Sequence, residues 1–114
     1  MGEHPVHLLF ICSRNKWRSR TAEALYLNFP GYLAKSAGTK PGARIRVTEG
    51  LIGWADLIFV KEPEHRDYLR DKFSEALAGK KVVSLGIPDD FTYNDPDLID
   101  LLKANLSPHL PVPE

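Results

Sequence analysis

His7-Leu-Leu-Phe-Ile-Cys12-Ser-Arg-Asn-Lys-Trp-Arg18-Ser19 is the stretch on which the reading of this chain turns. Leu8 to Ile11 is uninterrupted apolar sequence and reads as a short buried strand, too apolar to leave one face in water. It delivers the only cysteine of the chain to a tight loop, and Arg18 and Ser19 then open a helix. A strand end followed by a helix N-terminus aims several backbone N–H groups at one point, which favours an anion there. Those donors, the helix dipole and a guanidinium together favour the thiolate of Cys12. Arg18 can grip two phosphate oxygens at once, as a lysine cannot. Ser19 can donate its hydroxyl to the sulfur and ease its departure. The run reads as a phosphate cradle with a nucleophile at its centre.

Working outward, the chain alternates strand and helix. The spacing of Ala22, Leu25, Tyr26 and Phe29 predicts a helix over Arg18 to Phe29, stopped by Pro30-Gly31. Tyr32 to Ser36 reads as a second strand and Lys40-Pro-Gly as a loop. Val47 to Trp54 reads as a short helix burying Leu51, Ile52 and Trp54. Leu57 to Val60 is a third strand. Pro63 to Leu77 has proline at its start and Gly79 just past its end, the asymmetry of a helix. Lys81 to Leu85 is a fourth strand and Asp97 to Leu106 a final helix. Such repetition with short connections implies an α/β fold. The expected architecture has three layers, a four-stranded parallel sheet in flavodoxin- or Rossmann-like order 2-1-3-4 with helices on both faces. Ligands of such sheets sit outside the carboxyl ends of the strands, where Cys12 falls.

Composition narrows the class. With 114 residues, the chain is expected to form one domain, 1–114, large enough for a real core. Its 43% apolar and 26% charged residues are those of a globular protein in water. Zero net charge removes any global attraction to nucleic acid or membrane. No apolar run reaches the ~20 residues that span a bilayer, and Met1-Gly-Glu-His-Pro lacks the features of a secretory signal. One cysteine cannot form an internal disulfide, and a reduced, cytoplasmic setting suits a working thiolate. With that lone cysteine, and histidines that show no ligand spacing, no metal site is expected.

Four pieces, in order along nearly the whole chain, resemble the low-molecular-weight protein tyrosine phosphatase family. They are Cys12-x5-Arg18-Ser19 after an apolar strand, Ser36-Ala37-Gly38-Thr39, Ala55-Asp-Leu-Ile-Phe-Val60 with Glu62 and His65, and Ile87-Pro88-Asp89-Asp90-Phe91. The resemblance implies hydrolysis of a phosphomonoester through a cysteinyl-phosphate intermediate, with no metal or organic cofactor. Cys12 would be the nucleophile. Arg18 and a loop of Ser13, Arg14, Asn15, Lys16, Trp17 and Ser19 would bind the phosphate. Asp89 would be the general acid, with Asp90 its competitor. This chain departs from the family pattern in several places. Arg14 stands for a glycine, Trp17 for a second cysteine and Arg20 for a proline. Asp90 and Phe91 stand where proline and tyrosine are usual. A side chain in a glycine position costs about 1 kcal/mol if φ must be positive, whereas Asn15 tolerates that geometry. The chain is also shorter than typical members, mostly between Thr39 and Ala55, where the family carries a loop that walls its aromatic pocket.

Substrate identity stays open at this level. Phosphotyrosine protein is the family default. Arg14, Lys16, Arg18 and Arg20 also concentrate positive charge within seven positions, which suits a nucleotide, an RNA end or another polyanionic phosphate, or simply a solvated surface. Trp17 is either a stacking platform worth roughly 1–3 kcal/mol or a residue packed on the following helix. Phe91 and Tyr93 either wall the site or join the core. His65 reads as a surface or capping residue, and Asp95, Asp97 and Asp100 as the acidic start of the last helix. A phosphate-binding module without turnover is the non-enzymatic alternative. No membrane partner is expected, nucleic acid only as substrate, and the oligomeric state is left open.

Overall fold

The computed structural model describes residues 5–15, 18–88 and 91–113. Its elements run β1 (Val6–Cys12), α1 (Arg18–Leu25), β2 (Tyr32–Gly38), α2 (Glu49–Trp54), β3 (Leu57–Val60), α3 (Pro63–Lys72), α4 (Ser74–Leu77), β4 (Lys81–Ser84) and α5 (Pro96–Leu106). All strands are parallel, in the order β2-β1-β3-β4. The apolar run is the centre of this sheet: Leu8, Leu9, Phe10 and Ile11 are completely buried. Leu8, Phe10 and Phe59 face one side, where Ala22 and Tyr26 close over them with Leu98, Leu102 and Leu106 of α5. Leu9, Ile11, Ile58 and Val60 face the other, against Ile52 of α2 and Leu69 of α3. Each such side chain contributes roughly 1.5–3 kcal/mol relative to exposure, so β1 anchors the sheet from both faces. Among the described residues no helix is long and apolar enough to cross a membrane.

Element boundaries differ from the sequence reading in instructive ways. The first helix ends at Leu25 rather than Phe29. Tyr26 and Leu27 donate back to the Glu23 and Ala24 carbonyls, tightening the last turn, and Asn28 takes φ 66° before Pro30 is reached. The helix expected over Pro63 to Leu77 is two helices. Phe73 leaves helical geometry (φ −131°, ψ 38°) and packs on the α2–α3 face, edge-on to Tyr68. Of the side chains expected inside the short helix, Ile52 is buried and Leu51 and Trp54 are half-buried. This helix starts later than expected, after Thr48, whose hydroxyl accepts the Leu51 N–H. The last helix starts one residue earlier than expected, with Asp95 as cap and Pro96 in its first turn. The first two strands are longer than the apolar pattern suggested, and the fourth ends at Ser84, although the Leu85 N–H still donates to the Val60 carbonyl at 2.8 Å.

The carboxyl edge of the sheet is drawn tight around one glycine. Cys12 pairs with Gly38, the last residue of β2. A Cβ at Gly38 would lie 2.6 Å from the Ser13 carbonyl oxygen, 2.7 Å from the Ala43 Cβ and 2.9 Å from the Arg14 carbonyl carbon. None of these is the free end of a flexible side chain, so backbone would have to move. Gly38→Ala is expected to destabilise the fold by about 1–3 kcal/mol, read as a lower urea midpoint with an unchanged m-value. An unchanged midpoint would show that the loop yields freely.

Candidate active site

β1 ends at Cys12, which is 3% exposed, and the chain returns four described residues later as α1. The Cys12 Sγ lies 2.9 Å from the Ser19 Oγ in the first turn of that helix. Asn15 ties this contact to the neighbouring strand. Its Nδ2 donates to the Ser19 Oγ at 2.9 Å and to the Ser36 Oγ at 2.8 Å. With one lone pair of Ser19 so occupied, its O–H stands within reach of the sulfur as a donor. Ser36 in turn donates to the Glu23 carboxylate. Asn15 is completely buried and left-handed (φ 57°), whereas Arg14 is exposed and not left-handed. The arginine in the glycine position therefore carries no positive-φ strain; Asn15 takes up the left-handed turn.

Arg18 is buried against the mouth of the sheet. Its Nη1 donates to the Glu62 carboxylate at 2.9 Å and to the Ile87 carbonyl at 2.8 Å. Glu62 is the N-cap of α3, and Ile87 is held to the end of β3 through its N–H and the Lys61 carbonyl. The guanidinium is thus oriented by two elements beyond its own helix. His65 closes the other side. Its Nδ1 accepts the Glu62 N–H at 3.1 Å, so Nε2 carries the hydrogen and donates to the Ser13 Oγ at 3.0 Å. The capping role expected of His65 is present, but the surface position is not: His65 is 1% exposed. Burial, with the nearby Arg18 guanidinium, pushes its pKa down to about 4 against the opposing pull of Glu62.

The short segment after β2 braces the cradle from outside. Thr39, Lys40 and Arg44 donate backbone N–H groups to the carbonyls of Cys12, Ser13 and Arg14 at 3.0, 2.8 and 3.1 Å. Phe91 packs half-buried against the α1–α5 core, and Tyr93 stands exposed with the Arg20 guanidinium 4.7 Å from its ring centre. Lys16, Trp17, Asp89 and Asp90 lie outside the described residues. Among the described residues, no group of three or more His, Cys, Asp or Glu comes together as a metal site.

Sequence reasoning did not single out Lys61 or Glu23 and gave Glu62 no role. Glu23 and Glu62 left no local signal, because their partners are distant in sequence. Lys61 did leave one: a lysine directly after the four apolar residues of β3.

The chain matches no protein-family model and no curated protein. Solved structures do match. The YwlE arginine phosphatase from Geobacillus stearothermophilus superposes with a TM-score of 0.62 at 23% identity, over 94% of this chain and 99% of that one. The tyrosine phosphatase Wzb from Escherichia coli K30, in complex with phosphate, gives 0.70 at 22% identity over 90% and 94%. Vibrio vulnificus Wzb, in complex with benzylphosphonate, gives 0.64 at 20% over 88% and 91%. The chain has the fold of these phosphatases. The likeness agrees with the four-stranded order anticipated from the sequence.

His65 makes a pH signature. Its folded pKa of about 4 lies below the ordinary 6.5, so between those values the unfolded chain binds a proton that the folded chain refuses. Stability from this group is complete above about pH 6.5 and is lost as pH falls towards 4. In His65→Gln the decline of Tm across this window should be shallower than in the wild type. Equal slopes would contradict the buried neutral imidazole.

Proposed function

We propose that this chain is a cysteine-dependent phosphatase of the low-molecular-weight protein tyrosine phosphatase type, hydrolysing phosphomonoesters through a cysteinyl-phosphate intermediate. The observation that carries this reading is the Cys12–Ser19–Asn15–Ser36 network at the carboxyl edge of the sheet, with Arg18 anchored beside it. The phosphatase folds on which the chain superposes support it. The chain acts in this reading as one phosphatase domain in the reducing cytoplasm.

The steps follow from the groups. The Cys12 thiolate attacks phosphorus in line, while Arg18 and the backbone N–H groups of the loop from Ser13 to Ser19 hold the equatorial oxygens and absorb developing charge. The Ser19 hydroxyl, 2.9 Å from the sulfur, stabilises the thiolate before attack and again when it leaves. Asp89 protonates the departing oxygen and then takes a proton from the water that clears the phosphocysteine. It lies two residues beyond Ile87, whose carbonyl is bonded to Arg18. Such acid and base assistance contributes about 10²–10⁴-fold. An aryl phosphate, as in phosphotyrosine, is the favoured substrate class, consistent with the benzylphosphonate in the Vibrio vulnificus structure.

Phosphate release from a small aryl phosphate across pH 4.5–8, with phosphoarginine in parallel, tests the assignment. Cys12→Ser should abolish turnover, Asp89→Asn should lower it by about 10²–10⁴-fold, and Asp90→Asn should lower it far less. Hydrolysis that persists in Cys12→Ser would overturn the reading. A large loss confined to Asp90→Asn would move the acid by one residue.

A further inference from the structure

Lys61 is the one fully buried lysine among the described residues, and the reaction just outlined does not use it. Its backbone N–H donates to the Ile11 carbonyl at 3.1 Å, carrying the β1–β3 ladder one residue past the Ile11–Val60 pair. Continuing that register makes Lys61 the lateral neighbour of Cys12. Neighbours in a parallel pair stand about 4.8 Å apart and point to the same face. That face is shared by Phe10 and Phe59, two residues earlier in each strand. The Lys61 Nζ lies 4.6 Å from the centre of the Phe10 ring and has no hydrogen-bond partner among the described residues.

A buried amine in this state needs a counter-charge. Lysines are almost never fully buried unless paired, and a ring face compensates an ammonium only in part. Three groups of the described residues face it. Arg18 from α1 is a like charge, His65 from α3 is neutral above about pH 4, and Cys12 from β1 is the anion when ionised. We propose that Lys61 is the buried counter-charge of Cys12, a positioning residue that holds the sulfur as a thiolate from the core side of the cradle. The S–H bond breaks as an N–H bond forms on the amine, and the resulting ammonium stays beside the thiolate. No other reagent is needed. Burial lowers the Lys61 pKa to about 7, against the upward pull of Cys12, so both protonation states are accessible near neutrality.

This proposal rests on reading Cys12 as the nucleophile, yet its test needs no turnover. The rate of Cys12 alkylation by iodoacetamide, measured against pH on the intact chain, reports thiolate directly. In Lys61→Met the midpoint of that profile should rise by about one pH unit or more, which is ~tenfold slower alkylation at a fixed pH below it. Lys61→Arg, which keeps the charge, should retain the wild-type midpoint. Lys61→Met should also melt higher than the wild type, because it removes a buried charge while Cys12, left without the ammonium, takes up a proton and leaves no charge unpaired. That gain should be largest at and below pH 7 and fade towards 10.5, where the unfolded lysine also loses its proton. A role in packing alone predicts the opposite pair of results, a lower Tm with an unmoved midpoint, and that would overturn the proposal. Titration of the Lys61 Nζ by NMR in the wild type and in Cys12→Ser gives the reciprocal check. Loss of the thiolate should lower the lysine midpoint, and an unchanged value would overturn the pair independently. If aryl phosphate is not hydrolysed but the alkylation midpoint moves, the phosphatase reading fails and the pair stands. Turnover with no shift sinks the pair alone.

Discussion

Asn15 holds the cradle together, because its backbone and its side chain each settle a different part of it. The left-handed turn at φ 57° costs a non-glycine residue about 1–2 kcal/mol. Its amide meets that cost with two buried hydrogen bonds, to Ser19 in α1 and Ser36 in β2, each worth about 0.5–1.5 kcal/mol net. Its Oδ1 is buried with no partner among the described residues, so the residue does not add to stability. What it does is fix geometry. By donating to the Ser19 Oγ it holds that hydroxyl beside the sulfur, and by donating to Ser36 it ties the loop to the neighbouring strand. Glu23 completes the line by accepting from Ser36.

The remaining constraints converge on the same edge of the sheet. Gly38 lets β2 and the loop approach within a distance no side chain would allow. The segment from Thr39 to Arg44 spends its backbone donors on the carbonyls of Cys12, Ser13 and Arg14. Glu62 and His65 form the cap of α3 and at the same time orient Arg18 and Ser13. One helix terminus thereby serves two loop residues. The short segment after β2 supports the loop from outside. The buried amine of Lys61 and the buried Oδ1 of Asn15, neither with a hydrogen-bond partner among the described residues, are features of this edge that cost stability.

Much of this was legible in the sequence, and the exceptions have physical causes. β3 was read to the residue because an apolar run bounded by Asp56 and Lys61 has sharp polar edges. The sheet order and the placing of Cys12 followed from alternation and from the rule for carboxyl ends. The long helix after β3 reads as continuous because Pro63 and Gly79 bracket it and nothing between them is a breaker. Its break is decided by where the Phe73 ring packs, which the sequence does not state. The capping role of His65 is legible but its burial is not: a polar residue in the first turn of a helix is usually solvated, and its partner Ser13 is far away in sequence. Arg14 looked strained only because the glycine it replaces suggested a positive φ, which Asn15 supplies instead.

The central claim is that Cys12 carries the phosphoryl group between two half-reactions. Rapid acid quenching during turnover of an aryl phosphate, followed by mass spectrometry of the peptide containing Cys12, tests it most directly. One phosphoryl group on Cys12, accumulating when the general acid is removed and absent from Cys12→Ser, is the predicted result. Steady phosphate release with no phosphoryl group ever trapped on Cys12 would contradict the account.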